Sequence, residues 1–223
     1  MFDTEAVRLR QILLGRRAVS PLLNLGSSTA AFRESAKPHI DIELFGPLAS
    51  AGIIVLHSDL KRAEGVDFPG DVLDPAMLRE LKAHGFKCVL VANLLEHVRD
   101  PAAVAAACED IVGPGGLVLA TVPSSFPYHA DPIDTGFRPS PAELAALFGR
   151  STMLLCEELT GRSYGEDLTA RGATVWKELA RTLLAALIAP LRPKSFAARL
   201  DRWRWYRRPY KVSIALVRVE PSG

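Results

Sequence analysis

The chain has 223 residues, 48% hydrophobic and 23% charged, with a formal net charge of +2. That balance suits one α/β domain of ordinary size and argues against disorder. Its three cysteines form no CxxC pair and no metal-ligand spacing. They are expected to be small buried hydrophobes, and nothing in them requires an oxidising compartment.

Residues Thr4 to Leu14 predict a short amphipathic helix, with Val7, Leu9, Ile12 and Leu13 giving a partial apolar stripe. The N-terminal stretch is charged throughout and lacks the apolar core of a signal peptide. No run of about 18 apolar residues exists, so no membrane span is predicted and the default location is cytoplasmic. Pro21 to Leu25 reads as a first strand, and Ser27 to Ser35 as a loop entering a helix that Pro38 bounds. Ile40 to Ala51 is predicted helical, and Gly52 to His57 is a second strand. Val66 to Val72 would be a short third strand and Pro75 to His84 a helix, with Asp74 as its N-cap.

The stretch FKCVLVANLLEHVRDPAAVAAACEDIVGPGGLVLATVP, residues 86 to 123, is the most informative part of the chain. Cys88 to Val91 is a β-branched run, Pro101 to Val112 is Ala-rich and helix-prone, and Gly113-Pro-Gly-Gly116 stops that helix. Leu117 to Val122 is apolar on both faces, as suits a covered strand. The unit is a βαβ crossover, and its loop carries Asn93, Glu96 and His97 at the carboxyl end of a strand. Open α/β sheets bind ligands at that edge. Downstream, Ser140-Pro-Ala-Glu143 has the form of a capping box opening a helix. Met153 to Leu159 and Tyr210 to Glu220 read as two further strands.

NLLEHVRDP, followed by GPGG and a strand ending in VP, resembles the class I S-adenosylmethionine-dependent methyltransferases, most closely their small-molecule branch. The resemblance continues through YHADPIDTGFRPSPAELAALF, residues 128 to 148, and covers roughly Ser20 to Phe148. It implies a Rossmann-like, doubly wound, mostly parallel seven-stranded sheet with an antiparallel last strand and helices on both faces. Residues 1–223 would form a single domain, with 161–209 a helical, basic insertion between the last two strands. The implied cofactor is S-adenosylmethionine. The implied acceptor is a small molecule or a glycan or lipid precursor.

The family's glycine motif after the first strand corresponds to Asn24-Leu-Gly26-Ser27-Ser28-Thr29. Only Gly26 keeps the pattern; Asn24 replaces the usual acid, and Ser28 and Ala30 replace later glycines. By resemblance, Asn24, Gly26, Ser27 and Ser28 line the cofactor, Asp59 binds the ribose hydroxyls with Leu60 beside it, and Asp71 and Val72 read the adenine. Asn93, Leu94 and His97 would contact the methionine side. A solvated loop acid is the plain alternative for Asp59, and Asp67 reads as a turn acid.

The loop after the fifth strand holds His129, Asp131, Asp134 and Arg138 within ten residues. His129 is the first candidate for a catalytic base because of its pKa range, and Asp131 the second. Asp134 and Arg138 are candidates for a polar wall against the substrate, or for an internal salt bridge that fixes the loop; both roles can hold together. The five histidines are too scattered in sequence to suggest a metal cluster.

Ala173 to Pro190 is strongly helical, with Val175, Leu179, Leu183 and Leu187 on one face. It is expected to cover the core or act as a lid, or else to lie at a membrane interface. Leu191 to Lys211 carries eight basic residues and one acid, a net +7, which leaves −5 on the remainder. Trp203, Trp205 and Tyr206 sit among those arginines, a mixture suited to an anionic headgroup region. Peripheral membrane contact through 173–211 is therefore carried as a partner, and nucleic acid as a lesser one. A methyltransferase-fold protein without catalysis, serving as a binding subunit, is the competing function. A dinucleotide oxidoreductase is disfavoured, since GxGxxG and Tyr-x-x-x-Lys are both missing.

Overall fold

The computed structural model describes residues 1–129, 133–170, 172–187 and 189–221. Seven strands build the sheet: β1 Leu22–Leu25, β2 Val55–Asp59, β3 Phe68–Pro69, β4 Cys88–Ala92, β5 Leu117–Ser125, β6 Ser151–Ser163 and β7 Pro209–Val219. Their order is β3-β2-β1-β4-β5-β7-β6. Strands β1 to β5 pair in parallel, and β7 runs antiparallel to both β5 and β6. This is the Rossmann-like, mostly parallel sheet that the sequence implied. The strand order reverses between β1 and β4, and at such a switch point ligands bind outside the carboxyl ends of the strands.

The helices are α1 Asp3–Leu14, α2 Gly46–Ser50, α3 Pro75–Ala83, α4 Pro101–Val112, α5 Pro141–Ala146, α6 Tyr164–Ala170, α7 Val175–Leu187 and α8 Pro193–Arg204. Side chains alternate across a strand, so adjacent residues feed opposite layers. Leu23, Val89 and Val118 pack with Met77, Leu81, Val104, Cys108 and Leu144, which puts α3, α4 and α5 on one face. Leu22, Leu90, Leu119 and Ile214 pack with Leu9, Leu13, Leu44 and Leu48, which puts α1 and the segment ending in α2 on the other. Cys88 and Cys108 are fully buried, and burial pushes both thiols up to about 12. They are packing residues, not nucleophiles.

Local signals behave as their chemistry dictates. The Asp74 carboxylate accepts from the Ala76 and Met77 amides and caps α3. The Ser140–Glu143 capping box closes as expected. Other boundaries move. The second strand lies at Val55–Asp59, shifted toward the carboxyl edge, because its partners on β1 fix the register from Leu22↔Val55 onward. The third strand is only Phe68–Pro69, held by two residues of β2. The segment before α2 winds as π-turns at Phe32–Ala36 and Asp41–Phe45. Strand β6 is longer than predicted and runs to Ser163, because β7 stays paired with it as far as Pro209.

Helices α6, α7 and α8 lie between β6 and β7. Helix α7 does not cover the core with its apolar stripe. Trp176 is 79% exposed, Leu183 67% and Leu187 78%. Its opposite face meets α8: Glu178 pairs with Arg199, and the Trp203 indole N–H donates to Thr182. Polar residues thus face the neighbouring helix and leucines face outward.

The turn before β5 is tightly constrained. Gly115 has φ of +81° and Gly113 +64°. A Cβ on Gly116 would press on Val112 Cβ and lie 2.8 Å from the Val112 carbonyl oxygen. Gly116→Ala is expected to destabilise the protein by about 1–3 kcal/mol through overpacking, read as a lower urea midpoint with an unchanged slope.

Candidate functional site

At the carboxyl end of β1 the chain turns through Gly26 with φ of +75°, and Ser28 follows at +53°. A Cβ on Gly26 would sit 2.9 Å from Leu94 Cδ1, so the glycine is required by close approach as well as by φ. The Gly26 and Ser27 amides both donate to the Ser58 carbonyl at the end of β2, at 2.8 and 3.0 Å. Asp59 follows that residue. Its carboxylate accepts from the Ser28 amide at 2.7 Å and from the Lys61 amide at 3.0 Å. A carboxylate has about four acceptor sites, so capacity remains for hydroxyl donors. Ser58 Oγ is buried without a partner beside it. Leu60 is 75% exposed at the same edge.

Arg33 was not singled out in the sequence, yet it organises this loop. Its guanidinium donates to the carbonyls of Ser27 at 3.1 Å, Ser28 at 2.9 Å and Gly65 at 2.8 Å. It is buried, and that burial lowers its pKa despite nearby acids. The Asn24 amide meets His57 Nδ1 at 3.1 Å. Burial, then the Arg33 charge, push His57 down to about 4, so it is a neutral partner. Asp71 caps the Leu73 amide at 2.9 Å, and Val72 is buried in the core.

The corner after β4 depends on Glu5, a residue of α1 that sequence patterning did not identify. Glu5 is fully buried. Its Oε1 accepts from Asn93 Nδ2 and from Thr121 Oγ1, both at 2.7 Å, and its Oε2 from the Phe2 amide at 3.0 Å. Asn93 has φ of +52°, a left-handed turn that asparagine tolerates better than most residues. Beyond it, Leu95–His97 forms one 3₁₀ turn. The Thr135 amide and hydroxyl both donate to the Glu96 carbonyl, at 2.9 and 3.1 Å, and so tie the loop after β5 against this turn.

That tie gathers the polar groups of two distant segments. Glu96 is fully buried, and among the described residues neither carboxylate oxygen finds a hydrogen-bond partner. Burial pushes its carboxyl up to about 7; its own backbone N–H, His97 and Arg138 pull the other way. Glu96 Oε1 lies 3.7 Å from His97 Nε2. The His97 and His129 rings meet edge to face with centroids 5.0 Å apart. Burial, the largest influence, lowers the His129 pKa. The Met1 amine is also buried near Glu5 and Glu96, and burial lowers its pKa.

Asp134 and Arg138 bind one another, with Arg138 Nη2 donating to Asp134 Oδ2 at 2.6 Å. Asp134 also accepts from the His129 and Gly136 amides, both at 2.9 Å. The internal bridge is therefore present and shapes the loop. Asp131 lies outside the described residues. The structure thus brings Gly26 against Leu94, Asp59 against Ser28, and His97 against His129. Asp71 and Val72 stand apart, after β3. An open groove of about 880 Å³ lies elsewhere, between Thr160–Ser163 and Tyr206–Pro209.

No family model matches the chain, and no curated protein matches it in sequence. Its fold matches many solved structures. A SAM-dependent methyltransferase from Archaeoglobus fulgidus superposes with a TM-score of 0.53 at 13% identity, over 97% of this chain and 93% of that one. Coclaurine N-methyltransferase, solved with N-methylheliamine and S-adenosylhomocysteine, gives 0.54 at 12% identity, over 97% and 70%. The cyclase SpnF gives 0.53 at 13% identity, over 97% and 82%. The chain has the class I methyltransferase fold. One bearer of that fold is a cyclase, so the fold by itself leaves the reaction open.

Asp134 offers a pH signature. Burial alone would raise its pKa, but the Arg138 guanidinium and two backbone amides outweigh it and hold the carboxyl at about 2. A depressed folded-state pKa stabilises the protein above the unfolded value, near 3.9, and that stability is lost as pH falls toward 2. Arg138→Met is expected to flatten the fall of the urea midpoint between about pH 4 and about pH 2 relative to wild type.

Proposed function

We propose that this protein is an S-adenosylmethionine-dependent methyltransferase acting on a small molecule, or on a glycan or lipid precursor. One observation carries the reading: the Gly26 turn, Asp59 and the Asn93–Leu94 corner converge at the carboxyl edge where the strand order reverses. The residues present fit an adenosyl cofactor in kind. Asp59 keeps acceptor capacity for ribose hydroxyls, with Leu60 beside it, and Asp71 and Val72 would read the adenine. Gly26, Ser27, Ser28, Asn93 and Leu94 supply close backbone for the methionine part. When bound, S-adenosylmethionine supplies an electrophilic methyl group on a sulfonium. The chain's own part is alignment, and the rigid corner held by Glu5 and the loop fixed by Asp134 and Arg138 serve that end.

Calorimetric titration with S-adenosylmethionine and S-adenosylhomocysteine tests this. Micromolar binding is expected, weakened about tenfold in Asp59→Asn, which removes a charge-assisted acceptor while keeping shape. Failure of both ligands to bind would reject the methyltransferase reading and favour a binding subunit.

A second feature favours a lipid-linked acceptor. The outward stripe of α7, Trp176, Leu179, Leu183, Leu184 and Leu187, is exposed, and the next helix, α8, is rich in arginine. Exposed apolar patches of this kind mark interaction surfaces, and arginines beside them suit anionic headgroups. The protein is expected to float with phosphatidylserine-containing vesicles and less with pure phosphatidylcholine. A Leu183→Ser, Leu187→Ser variant should lose most of that binding. Equal behaviour of variant and wild type at low salt would reject the membrane contact.

A further inference from the structure

We infer that Glu96, His97 and His129 form a binding site for one divalent first-row transition-metal ion. The three residues each offer a donor atom within 4.8 Å of the others. His97 and His129 lie far apart in the sequence, and it is the Thr135–Glu96 tie that brings their loops together.

Three observations point to a cation. The first is the orphaned carboxylate. Glu96 is fully buried, and among the described residues neither oxygen receives a hydrogen bond. A buried carboxylate whose oxygens complete no hydrogen bond is costly, and a cation bound directly to those oxygens offsets that cost.

The second is the second contact of each imidazole. His97 Nδ1 bonds the Ile133 carbonyl. His129 Nδ1 lies 3.3 Å from the Pro127 carbonyl and 3.4 Å from Asp134 Oδ2. A carbonyl only accepts, so each Nδ1 is the donor there, and in the neutral ring Nε2 is the atom with a lone pair for a metal. Metal-binding histidines are oriented in this way, by a carbonyl or carboxylate on the other nitrogen.

The third is spacing. Ligand atoms on one ion stand about 3–3.5 Å apart when each bond is about 2.1 Å. Glu96 Oε1 and His97 Nε2 are already at 3.7 Å.

The donor set selects the ion. Two imidazoles and one carboxylate suit Zn²⁺, Co²⁺, Mn²⁺ or Fe²⁺ and disfavour Mg²⁺ and Ca²⁺, which prefer oxygen. Three protein ligands leave coordination positions open, as catalytic sites do and structural ones do not. An oxygen of the acceptor would complete the shell, a role that rests on the methyltransferase reading. It would give the metal the task of lowering a hydroxyl pKa. His129 is then a ligand, not the free base that its place in the sequence suggested.

The test uses the full chain stripped with EDTA and titrated with Co²⁺, followed by visible absorption, and with Zn²⁺ by calorimetry. One equivalent is expected, with a rise in melting temperature on loading. Glu96→Gln and His129→Ala should each bind at least about tenfold more weakly and lose that rise, while His84→Ala behaves as wild type. Metal-free melting curves show whether each variant folds; if Glu96→Gln does not, His97→Gln takes its place. No binding, or binding that both variants retain, overturns the site. Metal binding without cofactor binding would leave the site standing and reject methyl transfer alone.

Discussion

One buried carboxylate, Glu5, ties helix α1 to the carboxyl edge of this sheet. From α1 it reaches across to Asn93 after β4 and Thr121 in β5, each at 2.7 Å. Burying a charge is tolerable only when its acceptor sites are filled, and here three donors fill them. The same bonds keep Asn93 in a left-handed turn, which starts the chain toward Glu96 and His97. The geometry of the corner therefore comes from a helix on one face of the sheet, not from the loop's own sequence.

Two buried carboxylates lie along this edge in opposite states. Glu5 has its donors; Glu96 has none. The contrast locates the polar demand of the site at Glu96, between two imidazoles whose Nδ1 atoms are already committed.

Much of this architecture is readable from local chemistry. The apolar runs of β4 and β5, the Gly113-Pro-Gly-Gly116 stop and the Asp74 and Ser140 caps depend on near neighbours, and their periods and turn residues announce them. What stays hidden depends on distance. Arg33 grips three carbonyls, and a carbonyl carries no sequence label. Glu5 sits in an ordinary amphipathic helix, and nothing in its spacing says that it crosses the sheet. His97 and His129 meet only because the loop after β5 folds back over the 3₁₀ turn. In α7 the period shows two faces but not which one the protein keeps for itself.

The two outermost strands have a further consequence. Strand β3 is two residues long, too short to template another chain. Strand β6 is thirteen residues long and would be a ready edge for intermolecular pairing. It carries irregularities between Met153 and Leu155 and between Thr160 and Ser163, which interrupt a flat ladder. Glu157, Glu158 and Arg162 add charge along it, and Arg8 of α1 clasps Glu157 at 2.6 Å. Both borders of the sheet thus carry features that disfavour strand addition, one by its shortness and the other by its irregularities and charge.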